Sequence, residues 1–368
     1  MKLKLIAAAT LLASAGAYAQ SSVTVYGIVD AGVMSQSKTG ATGTGGRDTA
    51  FVDAQMLPSI YGFKGSEDLG GGLKAGFQLE GGFNTGNGSH NSPGVYQNQL
   101  FGREAKVTLG GEWGSVGLGL QVDPALIAAI GTEPRGMTDS LSSLESWILA
   151  TVGNSSASSN TSLQGGIFDS NSVTYTYSGN GLFAGVEYGF GGIAGSTSAN
   201  STASIGLSYT MAGFTGSAGY AEAKNANAAV GGKSSGIDFV GLGYSIGMFA
   251  VRAQYGDFKT YDPTSGAQAS NVKDLGIGFD LKTGANKVNL AYYDSKDSVA
   301  GGKTKEIALA DFYSLSKRTE LYAQIASVKA DANAGLSAAL GGVYVPSGLT
   351  ASAGVTTTYI GLGVQHLF

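Results

Sequence analysis

The chain has 368 residues, with 60 Gly, 6 Pro and no Cys, and only 13% of it is charged beside 43% hydrophobic and 10% aromatic residues. Gly stands at about twice its usual share and charge at about half, and the missing thiols exclude a disulfide framework, thiolate metal ligation and a Cys nucleophile. Two His leave little for a zinc site or a His relay, and a net charge of −4 argues against nucleic acid as a partner. With 18 Tyr, 15 Phe and many β-branched residues the low charge does not read as disorder.

Residues 1–19 read as an export leader: a positive start (Lys2, Lys4), an apolar run from Leu5 to about Gly16, and the small-residue cleavage pattern Ala17-Tyr18-Ala19. The mature chain is expected to be one domain, residues 20–368. The apolar run falls short of the roughly 20 residues a spanning helix needs, and no later window reaches that length. Ala125–Ile130 and Trp147–Val152 are the longest candidates.

Alternation of period two then recurs to the end of the chain. Leu73, Ala75, Phe77 and Leu79 interleave with Lys74, Gly76, Gln78 and Glu80, and Leu275, Ile277, Phe279 and Leu281 with polar or Gly neighbours such as Asp274 and Asp280. Each such segment has an apolar face and a polar face. The segments number about sixteen: 22–36, 51–66, 73–84, 100–112, 114–122, 171–178, 181–191, 203–212, 214–224, 236–246, 248–260, 272–283, 285–296, 304–315, 318–330 and 355–368. Short Gly-containing turns alternate with long polar loops, so one end is tight and the other elaborated. Alternation alone fits a soluble sandwich as well as a membrane barrel. The even count, the leader and the turn-and-loop asymmetry together favour an all-β, closed, sixteen-stranded antiparallel transmembrane barrel, in which closure removes every unpaired edge.

The longest stretch without alternation runs from Asp123 to about Ser170. It opens on a helix-start signal, Asp123 as N-cap with Pro124 at the first helical position, followed by apolar Ala125–Ile130. Its acids are Asp123, Glu133, Asp139, Glu145 and Asp169, against a single Arg135. Loops beyond about 15 residues are usually functional or disordered. No phosphate-binding Gly loop, dinucleotide fingerprint or zincin helix is present, His90 and His366 have no catalytic company, and no enzyme activity, cofactor or metal is expected.

Four spaced segments, SSVTVYGIVDAGV (21–33), GFKGSEDLGGGLKAGFQLEGGF (62–83), YSLSKRTELYAQ (313–324) and IGLGVQHLF (360–368), carry a resemblance over nearly the whole mature chain. The chain resembles the general porins of Gram-negative outer membranes, in their betaproteobacterial branch. The resemblance implies a homotrimer of sixteen-stranded barrels passing small hydrophilic solutes by passive diffusion, among outer-membrane lipid and lipopolysaccharide. It implies that the third loop, from Asp123, folds inward and narrows the pore, and that Phe368 is the signal read by the barrel insertion machinery.

The same resemblance implies a ring of Arg and Lys on the wall facing that loop. Matched residue by residue, three of its basic positions fall on Ile28, Ile60 and Phe168, and only Arg103 keeps its guanidinium. The remaining positive wall would be Arg103, Lys74 and Arg252, facing the acids Asp123, Glu133, Asp139 and Glu145. Acidic rings favour cations and basic rings anions, so a weak or cationic preference with a greasy constriction is expected. Basic side chains from elsewhere, such as Lys64 or Arg135, would reverse it. A substrate-specific channel using Ile28, Ile60 and Phe168 as a binding surface, and an exported β-rich adhesin, are the rival readings.

Overall fold

The computed structural model describes residues 22–39, 43–90, 99–138, 140–143, 148, 163–164, 167–299, 301–334 and 353–368. The leader proposed for residues 1–19 lies outside them.

Among the described residues eighteen strands form one antiparallel sheet: β1 (Ser22–Gln36), β2 (Asp48–Asp53), β3 (Ile60–Gly70), β4 (Leu73–Gly82), β5 (Glu104–Gly111), β6 (Gly114–Val122), β7 (Leu163–Gln164), β8 (Phe168–Gly179), β9 (Leu182–Gly189), β10 (Thr202–Met211), β11 (Phe214–Lys224), β12 (Lys233–Ile246), β13 (Phe249–Tyr261), β14 (Gln268–Thr283), β15 (Asn286–Asp297), β16 (Lys303–Ser314), β17 (Thr319–Ala330) and β18 (Thr356–Leu367). A helix, α1 (Pro124–Ala129), follows β6. β2 and β3 pair in turn with the two halves of β1 and so make one stave, while the two-residue β7 only flanks β8. Sixteen staves remain, as the alternation predicts. The ring closes where Ile28 of β1 meets Leu367 of β18, and beyond it Phe368 N–H donates to Gly27 O at 3.0 Å.

Polarity is inverted relative to a soluble sandwich. Along β14 the exposed positions are Leu275, Ile277 and Phe279, while Asp274, Gly276, Gly278 and Asp280 face inward and are buried. Apolar side chains shown to the outside around the whole ring suit hydrocarbon, where every backbone group must pair within the protein. Aromatic pairs collect on this face near the tight turns: Trp113 on Tyr175, Phe214 on Tyr244 and Phe249 on Phe279, with centroids 6.3, 4.2 and 5.8 Å apart. Towards the loop end the outward positions turn charged, as Lys273 beyond Leu275 and Lys305 beyond Ile307 illustrate.

The tight turns have the chemistry hairpins demand. Asn180-Gly181 between β8 and β9 has both residues at positive φ, 52° and 80°, the type I′ geometry that matches strand twist. The stave expected over 51–66 is instead broken at residues 54–59. Ala54 takes φ 58° and Pro58 can donate no ladder hydrogen bond. The buried Asp30 carboxylate accepts the N–H groups of Gln55, Met56 and Leu57 at 3.2, 3.2 and 3.3 Å. Tyr322 OH and Gln365 Nε2 donate to the same carboxylate at 2.7 and 3.2 Å, so the bulge is tied to the closing staves.

Candidate functional site: the pore and its inward loop

After β6 the chain turns into the barrel. Asp123 caps α1 as expected, its Oδ1 accepting from Ala125 N at 2.6 Å, and Ser204 of β10 donates to the same oxygen. The helix then lies flat on the inner wall because the wall has no side chains there. A Cβ on Gly206 would stand 1.9 Å from Pro124 O, and one on Gly278 2.2 Å from Pro134 O. Both are contacts between backbones that only Gly permits. The high Gly content thus has a second use beyond turns: it makes the seat of the loop.

Polar contacts fix the rest of the path. Gln254 of β13 donates to Ala129 O (3.1 Å) and Thr132 Oγ1 (2.9 Å), and Asn289 of β15 to Pro134 O (3.0 Å). Arg135 Nη2 donates to Gln324 of β17 at 2.9 Å, and Ser140 N to Gln55 O in the bulge at 2.9 Å. Leu141, fully buried, packs with Met34, Val52 and Val328. The described part of the loop therefore follows the wall from β9 round to β17 and touches the bulge between β2 and β3.

The wall of β3–β5 carries Lys64 and Lys74 exposed and Glu80 and Glu104 buried. Here inward side chains form a continuous series: Lys64 Nζ lies 5.0 Å from the Tyr26 ring centroid, and Tyr26 OH donates to Glu80 at 2.8 Å. Glu80 in turn pairs with Arg103 Nε at 2.6 Å, and the Arg103 guanidinium lies over the Phe168 ring at 4.7 Å. Ile28 and Ile60 are direct cross-strand partners, one step from Tyr26 and Gly62. The structure thus gathers Ile28, Ile60, Phe168 and Arg103 on one stretch of wall. Phe168 is buried, however, and serves as the platform for Arg103. Lys74 stands near the tight-turn mouth, lining with Lys64 and Lys106 an open cavity of about 910 Å³. Arg252 is on β13, eight staves round the ring from β4, and pairs with Asp280 at 2.8 Å.

Two of the acids expected to face the pore are turned away from it. Asp123 and Glu133 are fully buried. Glu133 is consumed within the loop, accepting from Arg135 N and Met137 N at 2.7 Å each, Ser142 Oγ at 2.9 Å and Tyr293 OH at 2.6 Å. Burial, and then the charge of neighbouring Asp169, push the Asp123 carboxyl up to about 8. Asp139 and Glu145 lie outside the described residues. On the wall Glu80, Glu104 and Asp280 are each matched by Arg103, Lys106 and Arg252. Among the described residues Lys64, Lys74 and Lys287 have no carboxylate in ion-pair contact; Lys287 lies instead over the Phe312 ring at 4.0 Å. Sequence reasoning missed Lys106, Tyr26 and Glu80. The signal was available, because they share the inward parity of Lys74.

A Gram-negative porin family model matches residues 6–334. The chain belongs to the Gram-negative porin family. Two curated relatives agree: an outer membrane porin protein of Bordetella pertussis, 40% identical over 137 residues (34% of each chain), and outer membrane porin protein 32 of Delftia acidovorans, 44% identical over 130 residues (34% of this chain and 33% of the other). Each match spans about a third of the relative's length. Among solved structures the anion-selective porin from Comamonas acidovorans superposes over 95% of this chain and all of its own, at 26% identity and a TM-score of 0.76. The sixteen-stave porin barrel is thereby shared from end to end.

Proposed function

We propose that this porin forms a water-filled outer-membrane channel for passive diffusion of ions and small hydrophilic solutes, with a weak preference for anions. The observation that carries it is the asymmetric lumen: a loop laid on one wall with Asp123 and Glu133 buried, opposite a wall on which Lys64 and Lys74 are exposed and, among the described residues, have no carboxylate in ion-pair contact. Basic linings favour anions, and the superposable Comamonas acidovorans porin is anion-selective. The cationic preference expected from sequence loses two of its four loop acids, since Asp123 and Glu133 are buried.

Export by cleavage after Ala19, a barrel domain over 20–368 and assembly as a homotrimer complete the reading. Phe368, with its ring over Gly27 at the closing seam, is positioned at the last rung that insertion machinery would read. Outward Lys273 and Lys305, beyond the apolar belt, suit lipopolysaccharide phosphates. Planar-bilayer recording on purified protein tests the reading: stepwise ohmic conductance is expected, and no conductance in any salt overturns it. Saturable block by one solute class would instead favour a substrate-specific channel.

A further inference from the structure

Where the inward loop leaves and rejoins the barrel, three carboxylates meet, with no basic group of the described residues in ion-pair contact with them. Asp123 precedes α1, Asp169 stands on β8 and Glu187 on β9; all three are buried, and one oxygen of each lies within 4.8 Å of the others. Ser204 Oγ and Ala125 N occupy Asp123 Oδ1, and Thr174 Oγ1 and Ser172 Oγ occupy Glu187 Oε2. The other oxygens, Asp123 Oδ2, both of Asp169 and Glu187 Oε1, receive no donor. A fifth oxygen joins them from outside the acids. Thr202 Oγ1 on β10, 1% exposed, neighbours the Asp169 carboxylate yet is left without hydrogen-bond geometry. Arg103, over the ring of Phe168 next to Asp169 in the chain, is committed to Glu80.

We propose that this cluster is a divalent-cation site, selective for Ca2+, that clamps the root of the inward loop. Four carboxylate oxygens and a hydroxyl are the hard ligands Ca2+ takes, and a spread of 4.8 Å is about twice a Ca–O bond of roughly 2.3–2.6 Å. Asp169, with both oxygens free, supplies a bidentate carboxylate. Mg2+ keeps several of its waters and demands an octahedron, which a buried all-protein cage does not offer. The cation would join Asp123 to Asp169, Glu187 and Thr202, so that the two ends of the loop are fastened to three staves. Removal of the ion leaves three buried acids in contact, a state relieved only by protonation.

Calcium binding to detergent-purified protein, produced free of lipopolysaccharide and stripped with EDTA, tests this by calorimetric titration with CaCl2. One saturable site per chain is expected, with a Kd of about 10⁻⁴ to 10⁻³ M or tighter, and weaker binding of MgCl2. Asp169→Asn should abolish it, and Asp262→Asn, an exposed loop acid, should leave it unchanged. Should Asp169→Asn fail to assemble, Thr202→Val removes one neutral ligand from a folded barrel and should weaken binding several-fold. No saturable binding by the parent protein, or equal binding by the parent and either site variant, overturns the proposal. Conductance, measured on the same preparations, decides the channel reading independently.

Discussion

Replacing Gly206 by Ala adds one methyl group at the seat of α1. Its carbon would fall 1.9 Å from Pro124 O, 2.4 Å from Pro124 C and 2.9 Å from Ala125 N, all backbone atoms that no rotamer change can move. An ordinary C···O contact is about 3.3 Å, so the start of the helix must retreat by more than an ångström. That movement breaks the bonds from Ser204 to Asp123 and from Ala125 N to Ser204. Overpacking of this kind costs about 1–3 kcal/mol. The ladders on either side of Gly206 are not involved, so the barrel survives and the loop adjusts. The expected result is a folded channel with altered, more variable single-channel conductance, and the same from Gly278→Ala, whose Cβ would meet Pro134 O at 2.2 Å. Gly236→Ala is the control, because its nearest neighbour, Ala221 O, is 4.0 Å away. Conductance of Gly206→Ala and Gly278→Ala indistinguishable from that of the parent and of Gly236→Ala would refute the reasoning that bare wall seats the loop.

Asp30→Ala leaves three backbone N–H groups and two side-chain donors without their acceptor. A loss of about 3 kcal/mol or more is expected, read as a lower denaturant midpoint. Lys64→Glu combined with Lys74→Glu should move the reversal potential toward cations without lowering barrel stability, because among the described residues neither side chain has an ion-pair partner to lose; unchanged selectivity would place the filter elsewhere. With divalent ions chelated, Asp123 titrates near 8 in the fold against about 3.9 unfolded. The native state then holds the extra proton between those values, so stability is full below about pH 4 and falls as pH rises through 8. Unfolding midpoints at pH 5 and pH 9 in EDTA check the sign, and equal midpoints contradict it.

Barrel type, stave number and most strand limits were legible because period-two alternation is a local signal repeated sixteen times. The break at residues 54–59 was not, since it depends on Asp30, distant in sequence, whose carboxylate replaces the ladder partners of Gln55, Met56 and Leu57. The helix at Asp123-Pro124 was legible from its cap. The direction in which the loop acids face was not: Glu133 is turned away from the lumen by Tyr293 of β15, 160 residues on. Charge alone marked Glu133 as a pore residue, and only the register of β15 shows that a hydroxyl waits for it. Likewise Gly206 and Gly278 read as generic strand Gly until the path of the loop shows what lies against them.

The reversal potential of single channels across a KCl gradient bears most directly on the lumen. With Lys64 and Lys74 exposed and without an ion-pair partner among the described residues, and Asp123 and Glu133 buried, a potential of the sign for preferred Cl⁻ passage is expected, diminishing as salt screens the wall. A potential of the opposite sign, showing preferred K⁺ passage, would contradict the basic wall as the element that sets selectivity.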